Sequence, residues 1–267
     1  MTFDFDDAFN DRPLCAESSE AFITDDGERI AVTGQVRGHS AAILVVPGML
    51  MTRGCSEHRL FASQLQTVAD IYTMDVRGHG ESSGRFSFGV HEPRDVAGIA
   101  AILQSRYQTV GGIGFSLGGY HVLMAAASAN VFAAVAAVGT PTRLFPFDGR
   151  AFTRNFLRAI PMAVRRRRGW LRIAFPSLTR RRPSLLKALG EIDYPPVLIA
   201  HGERDWLVPS SHAQRIYAQT RMPKELLVVT GAGHAESLIT EPSGAFPKAA
   251  AQFFRRYLTG VRLTAAS

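Results

Sequence analysis

The strongest constraint on the fold of this chain is a repeated alternation of short apolar runs and amphipathic stretches. The apolar runs are residues 41–46, 71–74, 110–113, 132–138, 196–200 and 226–229, and the helical stretches are 59–68, 92–106, 120–127, 210–220 and 245–258. Runs that are apolar at nearly every position are typical of strands buried on both faces of a sheet. Repeated βα units predict an α/β fold, with a mostly parallel, twisted sheet of about eight strands and helices on both faces.

The beginning of the chain departs from this alternation. Residues 1 to about 18 are acidic and lack periodicity, which predicts a loose tail. Residues 20–24 and 29–36 resemble strands, and Asp25-Asp26-Gly27-Glu28 between them favours a tight turn. We therefore expect the sheet to start with an antiparallel hairpin.

The alternation is also interrupted between residues 140 and 192, where arginines, prolines and short, weakly amphipathic stretches predominate. From Arg143 to Lys187 there are thirteen Arg or Lys residues and one acid, Asp148; this segment therefore carries +12 in a chain of net charge +7. The prediction is a single α/β core made of residues 1–139 and 193–267. Residues 140–192 would form a basic helical lid over the strand ends.

Composition and length limit the class of protein. The chain has 267 residues and 46% hydrophobic content, which suffices for one large core. The acidic N-terminus has no basic region followed by an apolar one, so we expect no secretory signal. The two cysteines, Cys15 and Cys55, have no C-x-x-C spacing and predict neither a disulfide framework nor a metal site. These features favour a cytoplasmic protein.

One motif places a serine at a turn between a predicted strand and a predicted helix. It is Gly114-Phe115-Ser116-Leu117-Gly118-Gly119. A sharp strand-to-helix turn needs glycines, and it exposes the serine hydroxyl beside the N–H groups of a helix N-terminus. A bare G-x-S-x-G match occurs by chance in roughly one chain in ten of this size. The flanking strand and helix make this motif a predicted nucleophile elbow.

The later strands offer partners for Ser116. A serine hydroxyl becomes a good nucleophile when an imidazole takes its proton and a carboxylate orients that imidazole. Asp205 follows the strand 196–200, and His234 follows the strand 226–229. The carboxyl ends of parallel strands meet at one edge of a sheet, so both side chains are expected near Ser116.

Other residues compete for these roles, and a serine at this turn is also compatible with a helix cap in an inactive protein. The competitors are Glu203 and Asp193 as the acid, and His79, His121 and His201 as the base. Strand-end position favours Asp205 over the other acids. Of the histidines, His234 alone follows the last strand.

Four motifs in this order make the chain resemble α/β-hydrolase fold proteins, in particular lid-bearing serine hydrolases similar to monoacylglycerol lipases and bacterial esterases. They are the Ser116 motif, Asp75-Val76-Arg77-Gly78-His79-Gly80-Glu81-Ser82, His201-Gly202-Glu203-Arg204-Asp205 and Gly233-His234. The resemblance covers about residues 20–260. It implies that Ser116 is the nucleophile, His234 the general base and Asp205 the acid that orients it.

The resemblance also implies an oxyanion hole formed by the backbone N–H groups of Leu117 and Met49. Relatives commonly have His-Gly where this chain has Pro47-Gly48, and Leu50 is therefore an alternative donor. Around the serine we expect a substrate site that includes Leu50, Phe115, Phe145, Phe156 and Trp206. The aromatic residues of 140–192 are equally suited to docking the lid on the core.

The resulting hypothesis is a serine hydrolase that cleaves small-molecule carboxylic esters or thioesters through an acyl-enzyme, without a metal or organic cofactor. Amide hydrolysis, acyl transfer and perhydrolysis remain alternatives on the same triad, and so does a non-catalytic ligand-binding member of the fold. Haloalkane dehalogenases and epoxide hydrolases carry aspartate at the elbow and are disfavoured. The oligomeric state is left open by the sequence.

The arginine clusters 165–168 and 180–182 can be interpreted in several ways. They fit a solvated lid surface, and they also fit a surface that contacts an anionic membrane or an anionic substrate. A nucleic-acid surface is not expected, because no aromatic-interleaved binding motif accompanies the arginines.

Overall fold

The computed structural model describes residues 17–143, 172–174, 182–191, 195–221 and 223–260. Its strands are β1 (Glu17–Ile23), β2 (Arg29–Gln35), β3 (Ala41–Val46), β4 (Asp70–Met74), β5 (Thr109–Phe115), β6 (Ala134–Val138), β7 (Val197–Gly202) and β8 (Lys224–Val229). Its helices are α1 (Ser56–Leu65), α2 (Glu92–Gln104), α3 (Leu117–Ser128), α4 (Leu185–Glu191), α5 (Ser211–Gln219) and α6 (Ala245–Leu258), with a 3-10 helix at Ala235–Leu238.

These strands form one eight-stranded sheet in the order β1-β2-β4-β3-β5-β6-β7-β8. β1 pairs antiparallel with β2, and β2 pairs antiparallel with β4, whereas every pairing from β4 to β8 is parallel. The predicted α/β fold, with a mostly parallel sheet that starts with an antiparallel hairpin, is confirmed. The carboxyl ends of β3 to β8 consequently meet at one edge. β1 begins at Glu17, within the stretch expected to be a tail.

Two apolar layers hold the helices against the two faces of the sheet. β3, β6 and β7 are buried at every position, as expected of strands covered on both sides. On one face α2 and α3 contribute residues such as Val96, Ile99 and Leu123. On the other face α1 and α6 contribute residues such as Phe61 and Phe254.

Only part of the segment 140–192 is described. Leu185 and Leu189 of α4 are buried in the core layer that also contains α3. Ile173 forms a β-bridge with Phe86, and the Arg182 guanidinium donates a hydrogen bond to the Phe88 carbonyl. Phe145, Phe156 and the arginines at 165–168, 180 and 181 lie outside the described residues, and the lid stays a prediction.

Among the described residues, the helices lack the combination of length and hydropathy needed to cross a bilayer.

Candidate active site

Ser116 occupies a strained backbone conformation at the sheet edge. β5 ends at Phe115 and α3 begins at Leu117, so Ser116 is the single residue that turns the chain from strand to helix. Its φ of 51° and ψ of −119° lie in a region that non-glycine residues rarely adopt. Strain of this kind persists where the surrounding packing enforces it.

The glycines of the elbow are required by close packing. A Cβ built on Gly114 would lie 2.2 Å from the carbonyl carbon of Gly118, and a Cβ on Gly118 would lie 2.1 Å from the Val46 oxygen. No side chain fits at either contact. The first turn of α3 is therefore pressed directly against the ends of β5 and β3, which fixes the position of the Ser116 hydroxyl.

A continuous hydrogen-bonded chain links Ser116, His234 and Asp205. The distance from Ser116 Oγ to His234 Nε2 is 2.9 Å, and the distance from His234 Nδ1 to Asp205 Oδ2 is 2.8 Å. The carboxylate can only accept, so Nδ1–H donates to it and the Nε2 lone pair faces the serine hydroxyl. This is the tautomer that a general base for Ser116 requires.

The loops that carry the acid and the base approach each other closely. Gly202 ends β7, and a Cβ built on it would lie 2.0 Å from the Gly233 oxygen. Without a side chain at Gly202, the two loops can bring Asp205 and His234 into contact at the sheet edge.

Asp205 is fixed on its far side. Its Oδ1 accepts the backbone N–H groups of Leu207, at 2.9 Å, and of Val208, at 2.8 Å, and its side chain is 0% exposed. His201 Nε2 donates to the Val208 carbonyl at 2.8 Å and lies 3.3 Å from Asp205 Oδ2. Burial lowers the pKa of His201, so this imidazole is a neutral brace behind the carboxylate.

The competing acids and bases are placed elsewhere. Glu203 is exposed and accepts the N–H of Gly231, and Asp193 lies outside the described residues. His79 Nδ1 donates to the Arg77 carbonyl at 3.1 Å, and burial lowers the pKa of this imidazole. His121 is buried in α3, where burial lowers its pKa to about 4.

Both predicted oxyanion donors belong to segments that border Ser116. Leu117 is the first residue of α3, so its N–H has no carbonyl four residues earlier within the helix. A Cβ built on Gly48 would lie 3.2 Å from Ser116 Cβ and 3.3 Å from the Phe115 oxygen. The Pro47–Leu50 segment therefore lies against the serine, and Leu50 takes a positive φ of 69° there.

The residues expected at the substrate site separate into two groups. Trp206 is 47% exposed, and its ring centroid lies 6.2 Å from that of His234. Leu50 is partly exposed. In contrast, Phe115 is 0% exposed and contacts the Phe61 ring edge to face, so it is a core residue beneath the elbow rather than part of a substrate site.

Sequence reasoning missed a polar cluster behind the Pro47–Leu50 segment. His58 is fully buried in α1, and its Nε2 lies 3.7 Å from Oε1 of Glu236. Burial opposes the charge of this imidazole, but Cys55 and Glu236 raise its pKa to about 10. The sequence shows an acid two residues after His234, but nothing near either residue indicates that Glu236 pairs with His58.

Comparison with known proteins agrees with this fold. A model of the Alpha/beta hydrolase family matches residues 43–249, whereas a search of curated proteins found no match. The structure is similar to esterase Pf2001 of Pyrococcus furiosus, with a TM-score of 0.73, 18% identity and coverage of 91% of both chains. It is also similar to the alpha/beta hydrolase GrgF of Penicillium sp. sh18, with a TM-score of 0.74, 18% identity and coverage of 91% of this chain and 99% of that one.

The matched region contains most of β3, all of β4 to β8 and all three residues of the Ser116–His234–Asp205 chain. It spans well over half of the sequence. The chain therefore belongs to the alpha/beta hydrolase family.

Proposed function

We propose that this protein is a serine hydrolase that cleaves carboxylic esters through an acyl-enzyme on Ser116. The observation that carries the proposal is the hydrogen-bonded chain from Ser116 Oγ through His234 to Asp205. Membership of the alpha/beta hydrolase family supports a hydrolytic reaction, and one of the similar structures is an esterase.

In the first half of the reaction, Ser116 Oγ attacks the acyl carbonyl while His234 Nε2 takes the hydroxyl proton. Asp205 stabilises the imidazolium that forms and holds its orientation. The N–H groups of Leu117 and Met49 receive the oxyanion of the tetrahedral intermediate. His234 then gives its proton to the leaving alcohol as the ester bond breaks.

In the second half, water attacks the acyl-enzyme. His234 takes a proton from this water, a second tetrahedral intermediate forms in the same oxyanion hole, and Ser116 Oγ recovers its proton as the acid leaves. Each step uses groups of this chain and water. The exposed ring of Trp206 lies beside His234 and is proposed to contact the leaving group.

The chemistry of Ser116 can be tested by labelling with a fluorophosphonate probe. Wild-type protein is expected to label, and Ser116→Ala is expected not to. Ser128→Ala at the end of α3 serves as a matched control and should label like wild type. Unlabelled wild-type protein, or undiminished labelling of Ser116→Ala, would exclude Ser116 as an activated nucleophile.

The bond cleaved can be identified with a substrate panel. We expect turnover of p-nitrophenyl esters, with acyl thioesters as a second class, because both have a good leaving group that His234 can protonate. Turnover of anilides alone would indicate an amidase. Tight binding without turnover of any substrate would indicate a non-catalytic member of the fold.

A further inference from the structure

We propose that Glu236 is a positioning residue: paired with His58, it holds the Pro47–Leu50 segment, and with it the Met49 donor, in place beside Ser116. The proposal rests on the hydrolase function of Ser116 argued above. It assigns a role in that reaction to the fully buried His58 and to Glu236, whose side chain is 13% exposed.

His58 secures the far end of the loop that joins β3 to α1. Its Nδ1–H donates to the Thr52 carbonyl at 3.1 Å, and the Thr52 N–H donates to Cys55 Sγ at 3.4 Å. Cys55 in turn is the residue that precedes the first turn of α1. The His58 imidazole, which belongs to α1, thus connects this helix to the loop that precedes it.

Glu236 lies against the near end of the same loop. Its Oε1 would lie 3.0 Å from a Cβ built on Gly48, and it lies 3.7 Å from His58 Nε2. Both atoms are buried, and neither has a hydrogen-bond partner within the part of the chain that the structure describes. The carboxylate and the imidazole therefore face each other across the inside of the loop.

The charges of the two groups are consistent with an ion pair. Burial disfavours charge on both, but Cys55 and Glu236 raise the pKa of His58 to about 10, and His58 lowers the pKa of Glu236. Removing one partner of a buried pair leaves the other charge uncompensated, which is strongly destabilising. We expect the surrounding backbone to shift in response.

The pair connects the two loops that flank Ser116. Glu236 lies in the 3-10 helix that begins immediately after His234, and Gly48 borders the serine from the opposite loop. A shift of the Glu236 carboxylate would displace Gly48 and hence the neighbouring Met49 N–H. Because this N–H is proposed to bind the oxyanion, the displacement is expected to reduce kcat and to leave KM nearly unchanged.

The pair also determines the charge behind the oxyanion. An unpaired carboxylate beside Gly48 would repel the negative charge that develops on the substrate, and the His58 cation cancels this repulsion. Loss of His58 alone should therefore be more harmful than loss of Glu236 alone. Loss of both should restore activity relative to loss of His58.

The test compares Glu236→Gln, His58→Gln and the double variant for kcat, KM and melting temperature on one p-nitrophenyl ester. Glu241→Gln is the matched control, because its carboxylate accepts hydrogen bonds from Ser243 on the protein surface. We expect Glu236→Gln to lower kcat about 10- to 100-fold with KM within about twofold. We expect the kcat of His58→Gln to be lower still, and the kcat of the double variant to return to that of Glu236→Gln.

The results separate this proposal from the one on which it rests. Wild-type protein that turns over the ester while Glu236→Gln keeps the kcat of Glu241→Gln would overturn the positioning role alone. Wild-type protein that neither labels nor turns over would overturn the serine mechanism and this role with it. If His58→Gln does not fold, the isosteric Glu236→Gln and the double variant still decide, since both remove the carboxylate.

Discussion

At the scale of single residues, Asp205 determines which nitrogen of His234 faces the serine. Its Oδ2 accepts from His234 Nδ1 at 2.8 Å, while Oδ1 is held by the N–H groups of Leu207 and Val208. In Asp205→Asn the amide can keep these contacts but can also donate to Nδ1, which places the proton on Nε2. We expect kcat for ester hydrolysis to fall by about 10⁴ with little change in stability.

Glu203→Gln is the control for this prediction, because Glu203 is the neighbouring acid that the sequence left as an alternative. Its exposed carboxylate accepts the Gly231 N–H, away from His234. Equal losses of kcat in the two variants would show that Asp205 does not have the special role assigned to it.

His121 provides a prediction on pH dependence. Burial, with the charge of His79, lowers its pKa to about 4, against the opposing influence of Glu92. In the unfolded chain the pKa is near 6.5, so between these values the unfolded state binds more protons and the stability falls as the pH falls. Protonation of His121 therefore lowers the free energy of unfolding by about 3 kcal/mol once the pH is below both pKa values.

The measurement is urea unfolding of wild-type protein and His121→Leu at about pH 7.5 and about pH 4.5. The variant is expected to lose less stability on acidification, because it lacks the His121 imidazole. It should still lose some, because His79 and His201, whose pKa values burial also lowers, remain in both proteins. An identical loss in the two proteins would contradict a neutral, buried His121.

At the scale of elements, the junction of β5 and α3 depends on glycines. A Cβ on Gly118 would meet the Val46 backbone at 2.1 Å, whereas a Cβ on Gly98 in α2 would meet nothing within 4 Å. Gly118→Ala should therefore cost about 3 kcal/mol and move Ser116 out of position. Gly98→Ala should gain about 0.5 to 1 kcal/mol from helix propensity. Denaturant unfolding and ester hydrolysis would distinguish them, and equal stabilities would contradict the close approach.

A comparison of the predicted and observed elements shows what sequence patterns can and cannot predict. The strand Ala41–Val46 and the helix Ala245–Leu258 have the bounds that the sequence predicts, because the first is an uninterrupted apolar run and the second is a long amphipathic stretch. The helix expected at 120–127 begins earlier, at Leu117. Gly118 and Gly119 suit a turn in isolation, but in the fold they belong to the first turn of the helix, where Gly118 packs against Val46 and Gly119 against Thr140.

The residues of the candidate site also divide into those that the sequence predicts and those that it does not. Ser116, Asp205 and His234 are expected together because each follows a strand whose carboxyl end lies at one edge of the sheet, and the structure brings them within hydrogen-bond distance. Their catalytic roles stay a prediction. Phe115 was expected to face the substrate, but strand alternation directs its side chain into the core. The His58 and Glu236 pair joins residues far apart in sequence, and no local pattern reveals such a contact.

At the scale of the whole molecule, one arginine joins three separate parts of the fold. Arg77, in the loop after β4, binds both oxygens of Asp26 in the β1–β2 turn, at 2.6 and 2.9 Å. It also binds both oxygens of Asp95 in α2, at 2.8 and 2.6 Å. This network fastens the antiparallel hairpin to the parallel part of the sheet.

We expect Arg77→Gln to lower the free energy of unfolding by about 3 to 5 kcal/mol, because it leaves the buried Asp95 carboxylate unpaired. Arg106→Gln is the control, because its pair with Glu20 is largely exposed and contributes at most about 1 kcal/mol. Urea unfolding measures both variants. Similar small losses would contradict a structural role for the Arg77 network.

The central claim is that the hydrolytic reaction proceeds through an acyl group on Ser116. The most direct measurement is mass spectrometry of protein quenched in acid during turnover of p-nitrophenyl acetate, followed by peptide mapping. The account predicts an acetyl group on the peptide that contains Ser116, and none in Ser116→Ala. Steady hydrolysis by wild-type protein and by Ser116→Ala alike, with no acyl group on that peptide, would contradict it.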